Sequence, residues 1–370
     1  MQDGQKIPVH VLSGFLGSGK TTLLKSWLGG QALADVALLV NEFGEVGIDH
    51  LLLGEVAPDT VLLPSGCVCC QVRGELKQAL LDLSERRERG ELPPFKKVIL
   101  ETTGLADPSP ILSTLLHDRQ LQYHFAQGVL VTLVDAEHGW QQAKNQPEWL
   151  AQVTAADKLA VSKGDRVSST QREELEAYLQ QVNPLAEIAE TSRFLTQADK
   201  LFEASISQGT AHQRFRWLGN AVADRIGLLT RDAAMATAPE ASGAATVPGT
   251  VASLDRPALP LGFNHPQTET CVITLRENIN WAAFAVWLSM LLHCHGSSIL
   301  RMKGILRVQE SSTPVVIHGV QHSLHPPVHL TDWPGELESS QLVFILRGLS
   351  ASRLRSAFLR FQQPFLIGDK

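Results

Sequence analysis

Ile7-Pro8-Val9-His10-Val11-Leu12-Ser13-Gly14-Phe15-Leu16-Gly17-Ser18-Gly19-Lys20-Thr21-Thr22 runs from an apolar strand through a glycine-rich turn into helix-forming sequence. Gly14 to Thr21 fits G-x-x-x-x-G-K-[ST]; the strand before it and the helix predicted over Thr22–Leu28 supply the context that motif requires. Gly14, Gly17 and Gly19 let backbone N–H groups converge on phosphate oxygens, and the helix N-terminus adds the positive end of its dipole. Lys20 reaches the β- and γ-phosphates and the Thr21 hydroxyl takes a place on Mg²⁺, with Ser18 and Thr22 completing the nucleotide-binding set. A chance glycine-rich strand–helix turn would explain the glycines but not the motif and its context together.

Outward from that loop, short aliphatic runs alternate with helical patterns. Strands are predicted at Ile7–Ser13, Val36–Asn41, Val98–Glu101, Gly128–Val134 and Lys158–Ser162, with a weaker one near Leu185–Ala189. Gln71–Arg89 places Leu76, Leu80 and Leu83 on one helical face, and Ser169–Gln181 opens with Thr170 and Glu173 in a capping-box pattern. This order predicts an α/β P-loop domain over residues 1–205, a mostly parallel sheet with helices on both faces. Asp232 to Leu261, rich in Ala, Thr, Ser, Gly and Pro, is predicted as a flexible linker within a connecting segment, 206–268. Residues 269–370 read as a smaller α+β domain. It has strands at Thr270–Arg276, Ile299–Val308, Pro314–Val320 and Gln341–Arg347, a helix carrying Trp281, Phe284, Leu288 and Leu292, and a last helix over Ala351–Arg360. An antiparallel sheet with helices on one face fits that order best.

Composition narrows the class. A net charge of −6, with no block of like charges, argues against a nucleic-acid surface. Trp281 to Leu292, the most apolar helical stretch, is too short to span a bilayer, for which roughly 20 residues are needed. The N-terminal residues show neither a basic leader nor an apolar core, so a cytoplasmic setting without membrane attachment is expected. Five cysteines, three of them at 67, 69 and 70, form no disulfide framework.

Two further motifs follow the phosphate loop in register. Glu101 ends the run Val98-Ile99-Leu100 and begins Glu101-Thr102-Thr103-Gly104, and a carboxylate at the C-terminal end of a parallel strand faces the ligand crevice. It is the candidate second group for Mg²⁺ and, with Lys20, the candidate catalytic pair; the alternative is a plain strand end. Gly104 could offer its N–H to the γ-phosphate. Ser162-Lys163-Gly164-Asp165 stands where guanine-specific proteins carry Asn-Lys-x-Asp. Asp165 would accept from N1–H and the exocyclic amine of guanine, which adenine cannot supply, and the stem of Lys163 would cover the base. Ser162 departs from that pattern and loses an amide contact.

Gly66-Cys67-Val68-Cys69-Cys70 spaces three thiols at i, i+2, i+3 after a turn. A turn leading into a helix can aim all three sulfurs at one point, and thiolates favour Zn²⁺, Cu⁺ or Fe–S chemistry. Three sulfurs leave a tetrahedral ion one ligand short, which suits transfer. Three small buried hydrophobes, or a vicinal redox pair at Cys69–Cys70, remain the alternatives.

Taken in order, the motifs Leu12–Thr22, Asn41-Glu42-Phe43-Gly44-Glu45-Val46-Gly47-Ile48-Asp49, Cys67-x-Cys69-Cys70, Glu101-Thr102-Thr103-Gly104-Leu105-Ala106-Asp107-Pro108 and Ser162–Asp165 resemble those of the CobW/YjiA-type GTPases. These are relatives of the hydrogenase and urease nickel-insertion GTPases. Leu300–Leu306 and Gly319–His322 look like the CobW C-terminal domain, so the resemblance spans nearly the whole chain outside the linker. It implies a GTP-hydrolysing metallochaperone or insertase, usually for zinc, whose Cys67, Cys69 and Cys70 bind the transferred ion and whose client is a metalloprotein. It further implies that Asn41–Asp49 is a switch segment, with Glu42 or Glu45 near Mg²⁺ or completing the metal shell. A cobalt-handling GTPase of cobalamin biosynthesis, a P-loop phosphotransferase with a structural zinc, and a purely regulatory nucleotide binder are the competing readings, and homo-oligomers are allowed by all of them.

Six histidines lie between His293 and His329 (His293, His295, His318, His322, His325 and His329). Their spacing follows no single ligand template, so strand-end and loop histidines are the favoured reading over a metal-acquisition surface. No arginine finger or water-orienting Gln stands out, so slow intrinsic hydrolysis is expected.

Overall fold

A computed structural model describes residues 6–29, 35–40, 61–62, 72–195, 197–203, 268–309, 311–333 and 339–365. Glu42, Glu45 and the rest of Asn41–Asp49, the thiols Cys67, Cys69 and Cys70, and the Asp232–Leu261 linker lie outside the described residues.

The first unit is a seven-stranded sheet in the order β3-β2-β4-β1-β5-β6-β7, parallel at every pairing. Its strands are β1 (Ile7–Gly14), β2 (Val36–Val40), β3 (Val61–Leu62), β4 (Lys97–Glu101), β5 (Phe125–Asp135), β6 (Lys158–Ser162) and β7 (Glu187–Glu190). Such a sheet must be covered on both faces. On one face Val9, Val98 and Leu100 pack with Leu76, Leu80 and Leu83 of helix α2 (Val72–Glu88) and with Ile111 and Leu115 of α3 (Ser109–His117). On the other, Leu12, Ile99 and Val131 meet Leu23, Leu24 and Trp27 of α1 (Lys20–Gly29), and the Trp27 indole donates to the Phe194 carbonyl at 2.6 Å. A short helix α4 (Arg119–His124) leads into β5, and α5 (Gly139–Asn145) and α6 (Pro147–Ala155) follow it.

Helix α7 (Ser169–Val182) carries a capping box, one residue pair away from the one read in the sequence. Ser168 is the N-cap and Gln171 its reciprocal partner, rather than Thr170 and Glu173. The hydroxyl two positions earlier wins because Ser168, in extended backbone, can reach the Gln171 N–H, whereas Thr170 is already helical. A short helix α8 (Ala198–Phe202) closes the unit, with Phe202 under the edge of Trp27.

The second sheet is antiparallel, in the order β11-β10-β9-β13-β8, with β12 paired to β10. Its strands are β8 (Thr268–Leu275), β9 (Ile299–Leu306), β10 (Val315–Val320), β11 (Ser323–Leu324), β12 (Val328–His329) and β13 (Ser340–Arg347). One face is covered by α9 (Trp281–His295), through Phe284, Trp287 and Leu288, and by α10 (Ala351–Gln362), through Leu354 and Phe358. The opposite face, Leu300, Ile305, Val316, Val343 and Ile345, packs with Leu185 of the first unit. The P-loop unit therefore takes the place of a second helical layer.

Polar contacts fix that seat. The Arg301 guanidinium donates to the Ala155 carbonyl at the end of α6 and to Asp157. Lys303 lies 3.6 Å from Asp157, and Gln321 donates to Asp107 at 3.3 Å. Burial alone would raise the pKa of Asp157, but the Arg301 and Lys303 charges hold it well below the usual carboxylate range.

Candidate nucleotide site

Register brings the site together. Leu12 pairs with Glu101, Gly14 with Leu133, and Asp135 with Ser162, so the carboxyl ends of β1, β4, β5 and β6 lie side by side. Ligands of open parallel sheets bind at that edge.

The loop after β1 has the backbone its glycines allow. Gly14, Gly17 and Gly19 all have positive φ, at 143°, 75° and 95°. A Cβ on Gly14 would meet the Leu133 carbonyl at 2.6 Å and the Ser18 hydroxyl at 2.7 Å. The Lys20 ammonium folds back over the loop and donates to the Gly14 carbonyl at 2.6 Å and that of Phe15 at 3.3 Å. Burial lowers its pKa, opposed by the charge of Glu101. The neighbouring Ser18 is fully buried, and its hydroxyl has no hydrogen-bond partner among the described residues. Thr22 follows Thr21 in the first turn of α1 and is exposed.

Thr21 and Glu101 converge, the hydroxyl donating to the carboxylate at 3.2 Å, and Glu101 is 4% exposed. An alcohol and a carboxylate in contact at the mouth of a phosphate loop are hard oxygen donors of the kind Mg²⁺ takes. Beyond Glu101 the chain stays pressed on the loop. Thr102 donates from its N–H to the Leu12 carbonyl and from its hydroxyl to Ser13. A Cβ on Gly104 would meet the Leu16 backbone nitrogen at 2.6 Å.

Ser162 is buried, and its hydroxyl donates to the Ser18 carbonyl at 2.7 Å. The residue that departs from Asn-Lys-x-Asp thus ties the Ser162–Asp165 loop to the Gly14–Thr21 loop. Lys163 adopts left-handed backbone, φ 56°, and its ammonium donates to Asp135 at 2.7 Å. Asp165 stands exposed in the one-turn helix Gly164–Arg166. A cleft of about 350 Å³ opens beside these residues, lined by Leu16, Gly17, Asp135, His138, Gln142 and Lys163 among others.

Asp135 escaped the sequence reading although its signal matches that of Glu101, an acid closing an apolar strand. Burial would raise its pKa, but hydrogen bonds from Lys163 and from the N–H groups of Glu137 and His138 hold it below the ordinary value. Gln152, on α6, also escaped notice; its amide donates to the Gly104 and Ala106 carbonyls.

The C-terminal histidines have separate employment. The His322 ring contacts the Leu292 carbonyl at 3.0 Å, at the end of α9, and sits where a Cβ on Gly296 would fall. His318 and His325 pack ring on ring, centroids 3.7 Å apart. His293, His295 and His329 are exposed, and among the described residues no three of the six converge as ligands.

A glycine-rich loop between β1 and α1, a buried lysine over it and a carboxylate at the next strand end define a P-loop nucleoside triphosphatase. Residues 8–190 match the family described as CobW/HypB/UreG, nucleotide-binding domain, and residues 268–362 match the Cobalamin synthesis protein cobW C-terminal domain. The chain belongs to that family and is a P-loop GTPase with a CobW-type C-terminal domain. It is 29% identical over 353 residues to Zinc chaperone YjiA of Escherichia coli (strain K12), covering 95% of this chain and 98% of that protein. It is 32% identical over 193 residues to Zinc-regulated GTPase metalloprotein activator 1 of Schizosaccharomyces pombe, half of this chain and 46% of that one. The crystal structure of Zn(II)-bound YjiA GTPase from E. coli has the same fold, with a TM-score of 0.62 at 23% identity over 97% of this chain and 99% of that one.

Proposed function

We propose that this GTPase is a zinc metallochaperone that binds the ion through Cys67, Cys69 and Cys70 and delivers it to a client metalloprotein under control of the bound nucleotide. The contact of Thr21 with Glu101 beside the buried Lys20 carries the nucleotide half of the reading. The relatives named as zinc chaperones support the zinc half.

In this reading Gly14 to Thr22 cradle the phosphates, Lys20 neutralises charge on the β- and γ-phosphates, and Gly104 contacts the γ-phosphate. Thr21 and Glu101 would hold Mg²⁺, which would supply charge neutralisation to the phosphates. Lys163, anchored on Asp135, lays its stem along the base, and Asp165 selects guanine. Glu42 or Glu45 serves Mg²⁺ or completes the shell of the transferred zinc. We place the work in the cytoplasm and divide the chain into a GTPase domain (1–205), a connecting segment (206–268) and a C-terminal domain (269–370).

Zinc-competition titration of the wild type and Cys67→Ser, each with GDP and with a non-hydrolysable GTP analogue, tests the scheme. A zinc affinity that changes about tenfold or more between nucleotides, and is lost in the variant, is the expected outcome. Equal affinity with both nucleotides would sink the coupling, and unchanged zinc binding in Cys67→Ser would sink the site.

A further inference from the structure

Gln152 is fully buried on α6, a position an apolar side chain could fill. Its amide nitrogen lies 3.0 Å from both the Gly104 and the Ala106 carbonyls. Two acceptors can face only the donor end of an amide, so chemistry sets its orientation. The other end, Oε1, accepts nothing among the described residues. A buried amide satisfied on one side only is costly, so the two donated bonds are what this side chain contributes.

Those bonds hold one side of the turn that follows Glu101. Its other side lies against the phosphate loop, where a Cβ on Gly104 would strike the Leu16 nitrogen at 2.6 Å and its Cα at 2.8 Å. The turn ends at Asp107, which accepts from the Ser109 N–H at 2.8 Å at the start of α3. The second carboxylate oxygen of Asp107 accepts from Gln321 of the C-terminal sheet. Three residues beyond Gln152, the Ala155 carbonyl accepts from Arg301 of the same sheet. Turn and helix are thus both tied to the second domain.

We propose that Gln152 is a positioning residue for the γ-phosphate turn, and that Gln321 couples that turn to the C-terminal domain. Fixing the Gly104 and Ala106 carbonyls fixes the Gly104–Leu105 and Ala106–Asp107 peptide planes. The Gly104 N–H belongs to the preceding peptide and is constrained through the Gly104 Cα that joins the two planes. The inference rests on the reading of Gly104 as the γ-phosphate contact. GDP lacks the γ-phosphate that Gly104 contacts in that reading, so the two glutamines should bear on the triphosphate state more than on GDP.

The test uses the full chain with Mg²⁺, GDP and a non-hydrolysable GTP analogue. Gln152→Leu is expected to weaken the analogue about tenfold, to lower kcat comparably, and to leave GDP within about twofold. Gln152→Glu is expected to show the same defect at high pH and to recover as pH falls, when the buried carboxyl takes up a proton and donates one of the two bonds. Gln321→Ala, at a partly exposed turn that tolerates truncation, is expected to shift the analogue about threefold in the same direction. Equal weakening of both nucleotides, or no change in either, overturns the proposal; if Gln152→Leu does not fold, Gln321→Ala decides alone. Gly104→Ala separates the levels. If it leaves analogue binding intact, the γ-phosphate reading fails and takes the proposal with it. If it alone discriminates against the analogue, only the role of the glutamines fails.

Discussion

Arg301→Met is expected to weaken the seat between the two sheets by about 2–3 kcal/mol. The guanidinium is 4% exposed and donates to the Ala155 carbonyl and to Asp157. Removing it strands a carbonyl and a carboxylate, and breaking a buried pair from one side costs about 3–5 kcal/mol. Three features bring the figure down. Asp157 keeps Lys303 at 3.6 Å and the Leu130 N–H at 3.0 Å, its side chain is 29% exposed, and the Arg301 Nε lacks a partner among the described residues. Urea unfolding of Arg301→Met, Asp157→Asn and the double variant at pH 7 forms the cycle. The double variant should be less destabilised than the sum of the singles by about 1 kcal/mol or more. A single-variant cost below about 0.5 kcal/mol, or strict additivity, would refute the claim that this pair anchors the domains. Because the pKa of Asp157 is depressed, its contribution is present above the unfolded carboxylate value and is lost as pH falls toward the folded one.

Gly14→Ala should abolish tight nucleotide binding and cost about 2 kcal/mol or more, since its Cβ meets a backbone carbonyl at 2.6 Å at a φ of 143°; wild-type affinity in a fluorescent-nucleotide titration would contradict this. Ser162→Ala removes the 2.7 Å bond to the Ser18 carbonyl and should weaken GDP and GTP alike, about fivefold, because the loss lies in the loop both nucleotides share. Burial holds His318 well below 6.5 and pushes His325 down to about 3, with Asp157, Arg301, Lys303 and His117 as the charged neighbours. Between pH 6.5 and about 3 the unfolded chain binds a proton that His325 refuses, so the stability from this ring should decline by up to about 1.4 kcal/mol for each unit the pH drops; His325→Asn should flatten that slope in thermal melts.

Legibility in the sequence followed locality. Gly14 to Thr21 could be read because eight adjacent residues carry strand, turn and helix start together, and Leu76, Leu80 and Leu83 could be read because one helical face repeats. Glu101 and Asp135 carry the same local sign, an acid at the end of an apolar run, yet only the one followed by a glycine turn drew notice. Ser162 reads as a loss in sequence because the pattern it breaks is written for the base; its bond to Ser18 spans 144 residues and belongs to the register of β5 and β6. Gln152 could not be read at all. A glutamine in a helix of mixed composition gives no sign of burial, and its partners lie 46 and 48 residues away.

The same distance argument bears on how the two domains are coupled. Antiparallel strands with helices on one side leave a bare apolar face that must be covered, and here the cover is the GTPase domain itself. A purely apolar seat would tolerate sliding. This one is pinned at Asp157, at Ala155 and at Asp107, and two of those pins sit on the segments that Gln152 joins, the end of α6 and the turn beyond Glu101. On the proposed reading, a γ-phosphate that moved that turn would strain the Gln321 contact, the Gln152 contact, or both. Charges at the interface raise the cost of a half-open seat, since a separated Asp157 or Arg301 would lose its partner before water fully replaced it. A seat pinned in this way resists intermediate positions of the C-terminal sheet, the property that the proposed nucleotide-timed delivery requires.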